Sequence, residues 1–309
     1  MTSAMFRSIY VPLDGSAFAE QALPLATELA RRAGAILQVA LVHHPVPALA
    51  TALEVPEIEA QLDQEARARE QVYLDGIVER TRRSANVPVT ATLLDGPVAE
   101  ALQEHIEKSG ADLVISTTHG RGPVSRFWLG SVADQLMRRL HVPILLLRPG
   151  GEARLPSTLR RILVTLDGSG FAERAIEAAL RLGRPFGAEY VLFMVVEPPL
   201  PIADPNGLMV VPADPEAERK LRDTAQAYVT RKVEGLRAEG VIATGLTLDR
   251  AGAVESIIAQ ADTSGADLVA IASHGAGGVE RLVVGSVADK VIRGSTHPTL
   301  IVRPPHDAR

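Results

Sequence analysis

Two stretches of this chain carry the same signature 155 residues apart: His119-Gly120, nine residues, Gly130-Ser131, and later His274-Gly275, nine residues, Gly285-Ser286. Each follows an apolar run that opens Ala-Asp-Leu-Val, at Ala111 to Val114 and at Ala266 to Val269. The repeated unit therefore holds a strand as well as the loop it feeds. Asp14-Gly15-Ser16 recurs as Asp167-Gly168-Ser169, at a spacing of 153, and small loop insertions account for the drift. Such a period is far longer than the roughly 20 to 50 residues of a solenoid repeat, so it reads as duplication of a complete domain. A chain of 309 residues with 46% apolar content is long enough for two cores at roughly 100 to 200 residues per domain. The expected domains are residues 1–150 and 157–309, joined by a Gly/Pro-containing stretch from Gly150 to Ser157 without apolar periodicity.

Within the first copy, short aliphatic runs alternate with longer amphipathic ones. Strands are expected at Ile9 to Leu13, Ile36 to Val42, Val87 to Leu94, Leu113 to Ser116 and Ile144 to Leu147. Helices are expected between them, near Phe18 to Ala33, Glu57 to Arg83, Val98 to Lys108 and Val132 to Arg139. The second copy repeats the strands near Ile162 to Leu166, Tyr190 to Val196, Val241 to Leu248, Leu268 to Ile271 and Leu300 to Val302. Strict alternation with nearly all-apolar strands implies a parallel sheet covered on both faces. The expected fold class is α/β: two tandem Rossmann-like domains, each a five-stranded parallel sheet of order 3-2-1-4-5. In that order the switch point lies between strands one and four, and ligands of open sheets bind in the crevice beyond the strand carboxyl ends there. Both repeated motifs fall on loops at that crevice.

The residue types at the crevice suit a phosphorylated ligand. Gly120 and Gly130 let the backbone approach it closely, and Ser131 opens a helix whose free amides and positive dipole end suit phosphate. Gly275, Gly285 and Ser286 do the same in the second copy. Ser131-Val132-Ala133-Asp134 and Ser286-Val287-Ala288-Asp289 also read as a capping box that closes the helix with no ligand, and the two readings can coexist. Asp14 and Asp167 can accept hydrogen bonds from an amine or from ribose hydroxyls, or can cap the next helix together with Ser16 and Ser169. His119 and His274 have no second His or carboxylate at fixed spacing in their loops, so they are read as braces of the turn, with no catalytic or metal role. Arg121, Arg126 and Arg281 stand within reach of a phosphate, with solvated surface arginines as the alternative. Trp128, the only tryptophan, suggests packing or a partner contact.

Composition closes off other classes. With no cysteine, disulfides, thiolate metal sites and thiol catalysis are excluded. A net charge of -5 offers no footprint for nucleic acid. No apolar stretch is long enough to cross a bilayer, and residues 1–7 lack a signal core. A cytoplasmic protein is expected.

These motifs resemble those of the universal stress protein family, and the resemblance covers practically the whole chain as two tandem domains. Its nucleotide-binding branch carries Gly-x-x-Gly, nine residues, then Gly followed by Ser or Thr, with an Asp ending the first strand. Gly120, Gly130 and Ser131 match this pattern, as do Gly275, Gly285 and Ser286; Asp14 and Asp167 match the strand-one aspartate. Both copies depart from the pattern at its first glycine, which is Thr117 in one and Ala272 in the other. Thr is the larger change, and Pro123 stiffens a loop that reads Gly277-Gly278 in the second copy, so the second domain is the better fitted to bind. The resemblance implies ATP, ADP or AMP in each domain, with Mg²⁺ supplied by the ligand. It also implies backbone contacts to the adenine from Val42 and Val195, and nucleotide-responsive action in stress. It further implies pairing through strand five, Pro143 to Arg148 and Pro298 to Arg303, giving a homodimer and a pseudo-dimer of domains within the chain. The alternatives are slow ATP hydrolysis at the same site and a scaffold without nucleotide. Against the first, there is no dedicated base and no P-loop lysine. For the second stand the missing first glycines and a long connection, Pro198 to Pro215, able to present a partner site.

Overall fold

The computed structural model describes residues 5–45, 56–118, 130–148, 157–197, 202–203, 210–211, 214–249, 252–273 and 285–303. The chain divides into two compact units, Thr2–Thr158 and Leu159–Arg309.

In the first unit, β1 (Ser8–Leu13) leads through α1 (Ala17–Glu20) and α2 (Leu23–Ala33) to β2 (Ile36–Val42). A 30-residue helix, α3 (Pro56–Ala85), precedes β3 (Val89–Leu94), and α4 (Val98–Ser109) precedes β4 (Leu113–Thr117). The unit closes with α5 (Ser131–Arg139) and β5 (Ile144–Leu147). All neighbours are parallel, in the order β3-β2-β1-β4-β5, which is the order expected. Its central strands are buried on both faces: Ile9, Tyr10, Val11, Leu113, Val114 and Ile115 are each 0% exposed. That is the burial a parallel sheet sandwiched by helices requires.

The second unit repeats the plan. β6 (Arg161–Leu166), α6 (Glu173–Gly183) and β7 (Glu189–Val196) are followed by two short strands, β8 (Ile202–Ala203) and β9 (Val210–Val211). Then come α7 (Pro215–Ala238), β10 (Ala243–Asp249), α8 (Ala253–Ser264), β11 (Leu268–Ala272), α9 (Ser286–Gly294) and β12 (Thr299–Val302). Its order is β10-β7-β6-β11-β12, again parallel throughout.

The repeated Ala-Asp-Leu-Val acquires a structural reason here. Asp112 accepts the backbone N–H of Arg7 at 3.1 Å and of Ser8 at 3.0 Å, and Asp267 accepts those of Arg160 at 2.6 Å and Arg161 at 3.0 Å. Each carboxylate ties the start of the first strand to the strand beside it at the switch point.

Three local differences from the sequence expectation have physical causes. The single helix expected over Phe18 to Ala33 is two, because Pro24 in the first turn of α2 has no N–H to continue the ladder from Glu20. β3 starts at Val89 instead of Val87, since Pro88 interposes a residue without a donor. The connection expected to be loop from Pro198 to Pro215 contains the antiparallel pair β8–β9, with Ile202 opposite Val211.

Candidate functional site

The crevice is built by divergence of two strands. β1 runs beside β2 over its whole length, from Ser8 opposite Ile36 to Leu13 opposite Leu41. Against β4 its ladder covers only Ile9–Leu113 and Tyr10–Val114, so the two strands part toward their carboxyl ends. β6 and β11 pair over Leu268–Ile162 to Ala270–Val164 and then part likewise. A parallel sheet opens in this way where its chain order reverses.

Asp14 and Asp167 stand at the carboxyl ends of β1 and β6, Val42 is the last residue of β2 and Val195 the last but one of β7, and Thr117 and Ala272 end β4 and β11. Gly130-Ser131 and Gly285-Ser286 open α5 and α9. His119, Gly120, His274 and Gly275 lie outside the described residues, as do Arg121, Arg126, Trp128 and Arg281.

The strand-one turn is the same in both units. Asp14 Oδ1 accepts from Ser16 N at 2.9 Å and Ser16 Oγ at 2.6 Å, and Ser16 Oγ in turn accepts from Ala19 N at 3.2 Å. In the second unit the distances are 2.9, 2.6 and 3.1 Å, on Asp167, Ser169 and Ala172. Ser16 and Ser169 therefore cap the helix, and the aspartates orient the serines. Gly15 and Gly168 have φ of 79° and 83°, a region open to glycine at little cost. Asp14 Oδ2 accepts no hydrogen bond among the described residues.

The capping box read at the glycine loop does not form. The N-cap of α5 is Gly130, with no side-chain hydrogen bond, and Ser131 is the first helical residue and exposed. Asp134 points along the helix to Arg138, 2.8 Å away; Asp289 and Arg293 pair likewise at 2.9 Å. Gly130 N donates to Thr118 O at 2.6 Å and Gly285 N to Ser273 O at 2.5 Å. Each helix start is thus fastened to the end of the strand that enters the loop, and its N-cap residue, a glycine, gives no side-chain cap.

Beside this turn the first unit contains a cavity of about 300 Å³, lined by Gly15, Leu41 and the α3 residues Ala66, Arg69, Glu70 and Tyr73. Behind it His43, 1% exposed, is held between two carboxylates: Nδ1 lies 2.6 Å from Glu70 Oε2 and Nε2 2.7 Å from Asp63 Oδ1. Asp63 also accepts from Arg67 Nε at 3.0 Å, and Arg67 reaches Asp95 at 2.5 Å. Burial opposes the imidazolium, but the hydrogen bonds to Glu70 and Asp63 outweigh it and raise the His43 pKa. The same bond from His43, then that from Arg67, holds the Asp63 carboxyl below its usual range. Tyr73 Oη is buried. Burial, then the charge of Glu20 and a hydrogen bond to its carboxylate, push its ionisation up.

The second unit diverges here. Equal strand registers put Met194 in the place of Leu41 and Val196 in that of His43. The ion pair of Arg222 with Asp249, 2.8 Å, matches that of Arg67 with Asp95, and Tyr228 matches Tyr73. Along the same helix Ala225 then stands for Glu70 and Leu221 for Ala66. Sequence reasoning missed His43, Glu70 and Tyr73. The signal that finds them is the joint exchange of His43 and Glu70 for Val196 and Ala225 between the copies.

The family model described as the universal stress protein family matches residues 5–148 and again 158–303. A universal stress protein of Mycobacterium tuberculosis (strain H37Rv) is 28% identical, with 97% of this chain and 96% of that protein covered. One from Thermus aquaticus is 32% identical over 47% of this chain and all of its own length. Among solved structures, a universal stress protein from Archaeoglobus fulgidus superposes with a TM-score of 0.69 at 19% identity, covering 99% of this chain and 100% of the other. With the family model matched once in each unit, the chain belongs to the universal stress protein family, in its tandem two-domain form.

Proposed function

We propose that each unit binds ATP or a related adenine nucleotide in its switch-point crevice, and that occupancy alters the interactions of the protein under stress. The observation that carries this reading is a crevice built twice, with a strand-one aspartate on one wall and a helix start whose N-cap is a glycine on the other. Asp14 and Asp167 accept from the ribose hydroxyls, Asp14 through an oxygen that has no donor among the described residues. Backbone groups of Val42 and Val195 meet the base. The loops from Thr117 and Ala272 through His119-Gly120 and His274-Gly275 wrap the phosphates. Those phosphates rest on the amides that open with Gly130-Ser131 and Gly285-Ser286.

The donor set suits such a ligand: carboxylate for hydroxyls, backbone N–H for phosphate oxygens. Among the described residues no three His, Asp or Glu side chains gather as a metal site, so Mg²⁺ enters this reading as part of the nucleotide complex. A homodimer belongs to the same reading, with light scattering as its measurement. Calorimetry on nucleotide-stripped full-length protein tests the central claim. Binding of ATP, ADP or AMP below millimolar concentration, weakened by Asp14→Ala and Asp167→Ala, is expected; no binding of any of the three removes it.

A further inference from the structure

Two carboxylates close on opposite nitrogens of one buried imidazole at the end of β2. His43 Nδ1 is 2.6 Å from Glu70 Oε2 and Nε2 is 2.7 Å from Asp63 Oδ1, with the residue 1% exposed. A carboxylate only accepts, and a neutral imidazole carries one N–H. Both contacts are hydrogen bonds only while the cluster holds one further proton, which belongs to the three groups together. When that proton leaves, whichever carboxylate keeps the remaining N–H, the cluster is one charge more negative. Asp63 has a second donor in Arg67, at 3.0 Å, whereas Glu70 has no donor besides His43 among the described residues. Glu70 lines the cavity beside the Gly15 turn, and His43 directly follows Val42. The proton therefore sits between the strand end proposed to meet the base and the helix that walls the cavity.

We propose that His43 is a positioning residue that couples ligand binding in the first unit to this proton: while the proton is present Glu70 is held back and offset, and once it leaves the wall carries an added negative charge that disfavours an anionic ligand. The proposal rests on the nucleotide reading above and adds to it a pH dependence that the second unit lacks. The charged groups facing the ring are Asp63, Arg67 and Glu70 on α3 and Asp95 after β3, where Arg67 joins Asp63 to Asp95. Arg69 lines the cavity beside Glu70. Between pH 6 and pH 9 carboxylates stay ionised and arginines protonated, so the imidazole is the group that changes charge. Burial opposes the imidazolium, but the bonds to Glu70 and Asp63 outweigh it, and the proton leaves above the ordinary histidine value of about 6.5. Affinity in the first unit is then full in mildly acid solution and falls as pH rises through the folded value. By reciprocity, binding draws a proton onto the cluster.

The second unit keeps the other fastenings of this helix and omits the proton. Val196 and Ala225, both buried, stand where His43 and Glu70 do. The pair of Arg67 with Asp95 recurs as Arg222 with Asp249. Further along the helix the units agree again. Tyr73 is hydrogen-bonded to Glu20, which Arg80 approaches to 3.1 Å, and Tyr228 donates to Glu173 at 3.2 Å, which Lys232 approaches to 2.6 Å. Loss of the His43 proton thus acts on the amino-terminal half of α3 while these ties persist.

Calorimetric titration of the nucleotide-stripped full-length chain with ATP between pH 6 and pH 9 tests this. Asp167→Ala weakens the second site and so reports the first, and Asp14→Ala reports the second; titration of the nucleotide itself is common to both. Over this range the dissociation constant of the Asp167→Ala chain should rise about fivefold more than that of the Asp14→Ala chain, at the low end of ordinary coupling between sites. Adding His43→Val and Glu70→Ala to the Asp167→Ala chain should bring the two profiles together. Glu70→Gln in the same chain, which keeps the shape of the side chain and removes its charge, should do most of the same. Equal profiles in the Asp167→Ala and Asp14→Ala chains, or a difference that these replacements leave intact, overturns the coupling and leaves nucleotide binding standing. A wild-type chain that binds no ATP anywhere in the range removes both.

Discussion

Around the strand-one turn the two units agree to within about 0.1 Å in three successive hydrogen bonds. One strand away, at the end of β2 and β7, they share almost nothing: a buried His between two carboxylates faces a buried Val beside an Ala. The agreement marks geometry that the fold itself demands, since a left-handed glycine and a serine cap set how the chain leaves the sheet. The divergence lies in side chains at the ends of β2 and β7 and on the facing helices α3 and α7, which can change without moving the backbone. A duplicated domain keeps its turn chemistry and varies its walls.

The largest expected effect separates those walls. Glu70→Ala leaves His43 buried against a single carboxylate and should cost about 2 kcal/mol, below the roughly 3–5 kcal/mol of breaking a fully buried pair because the imidazole can shed its proton. His43→Val combined with Glu70→Ala writes the second unit's pair into the first and should recover most of that loss. Denaturant unfolding of the four chains of this double-mutant cycle gives the coupling. Simple additivity would mean that the two residues are not a unit, and the comparison would fail.

The shared turn should respond alike in both units. Gly15→Ala and Gly168→Ala each force a Cβ into left-handed backbone, at about 1–2 kcal/mol. At Gly168 the one neighbour of that Cβ within 4 Å among the described residues is the Met194 methyl at 3.6 Å, an ordinary contact, so the cost there is conformational. Ser16→Ala and Ser169→Ala should follow at about 1 kcal/mol each, the usual worth of a helix N-cap. Thermal unfolding of matched pairs is the check: unequal losses within a pair would show that the turn is coupled to the divergent wall in one unit.

The sheet was legible because parallel strands buried on both faces read as uninterrupted aliphatic runs, and the ends of Ile36–Val42 and Ile144–Leu147 match the expectation. The turn glycines and serines announced themselves through repetition. Other features are invisible to pattern. Asp112 and Asp267 look like surface charges until the register places them under two backbone amides. Ser131 and Asp134 have capping-box spacing, yet the helix starts one residue earlier because Gly130 N bonds to Thr118 O. Glu70 and Tyr73 sit on a helix rich in charge, where i, i+3 polar residues read as a solvated face; only the strand pairing that puts Leu41 opposite Leu13 brings them to the turn. Repetition finds what two copies share, and here the distinguishing chemistry lies where they differ.

The smallest expected effect is a pH slope belonging to the first unit. The groups facing His43 are Glu70 and Asp63, with Arg67 bound to Asp63 and in turn to Asp95. Because its pKa is raised in the folded chain, its contribution is complete below the unfolded value of about 6.5. It is lost as pH rises through the folded value. Asp63 has the opposite sign: its carboxyl is lowered, so its contribution holds above the unfolded carboxylate value and disappears in acid. Val196 and Ala225 supply neither slope in the second unit. The Tm of the wild type should therefore fall by about 2 °C relative to the His43→Val, Glu70→Ala double variant between pH 6 and pH 9, with the two curves parallel if folding leaves the His43 pKa unchanged. A wild-type Tm that instead rose relative to the double variant with rising pH would mean that His43 is held neutral in the folded chain and that burial outweighs both of its partners.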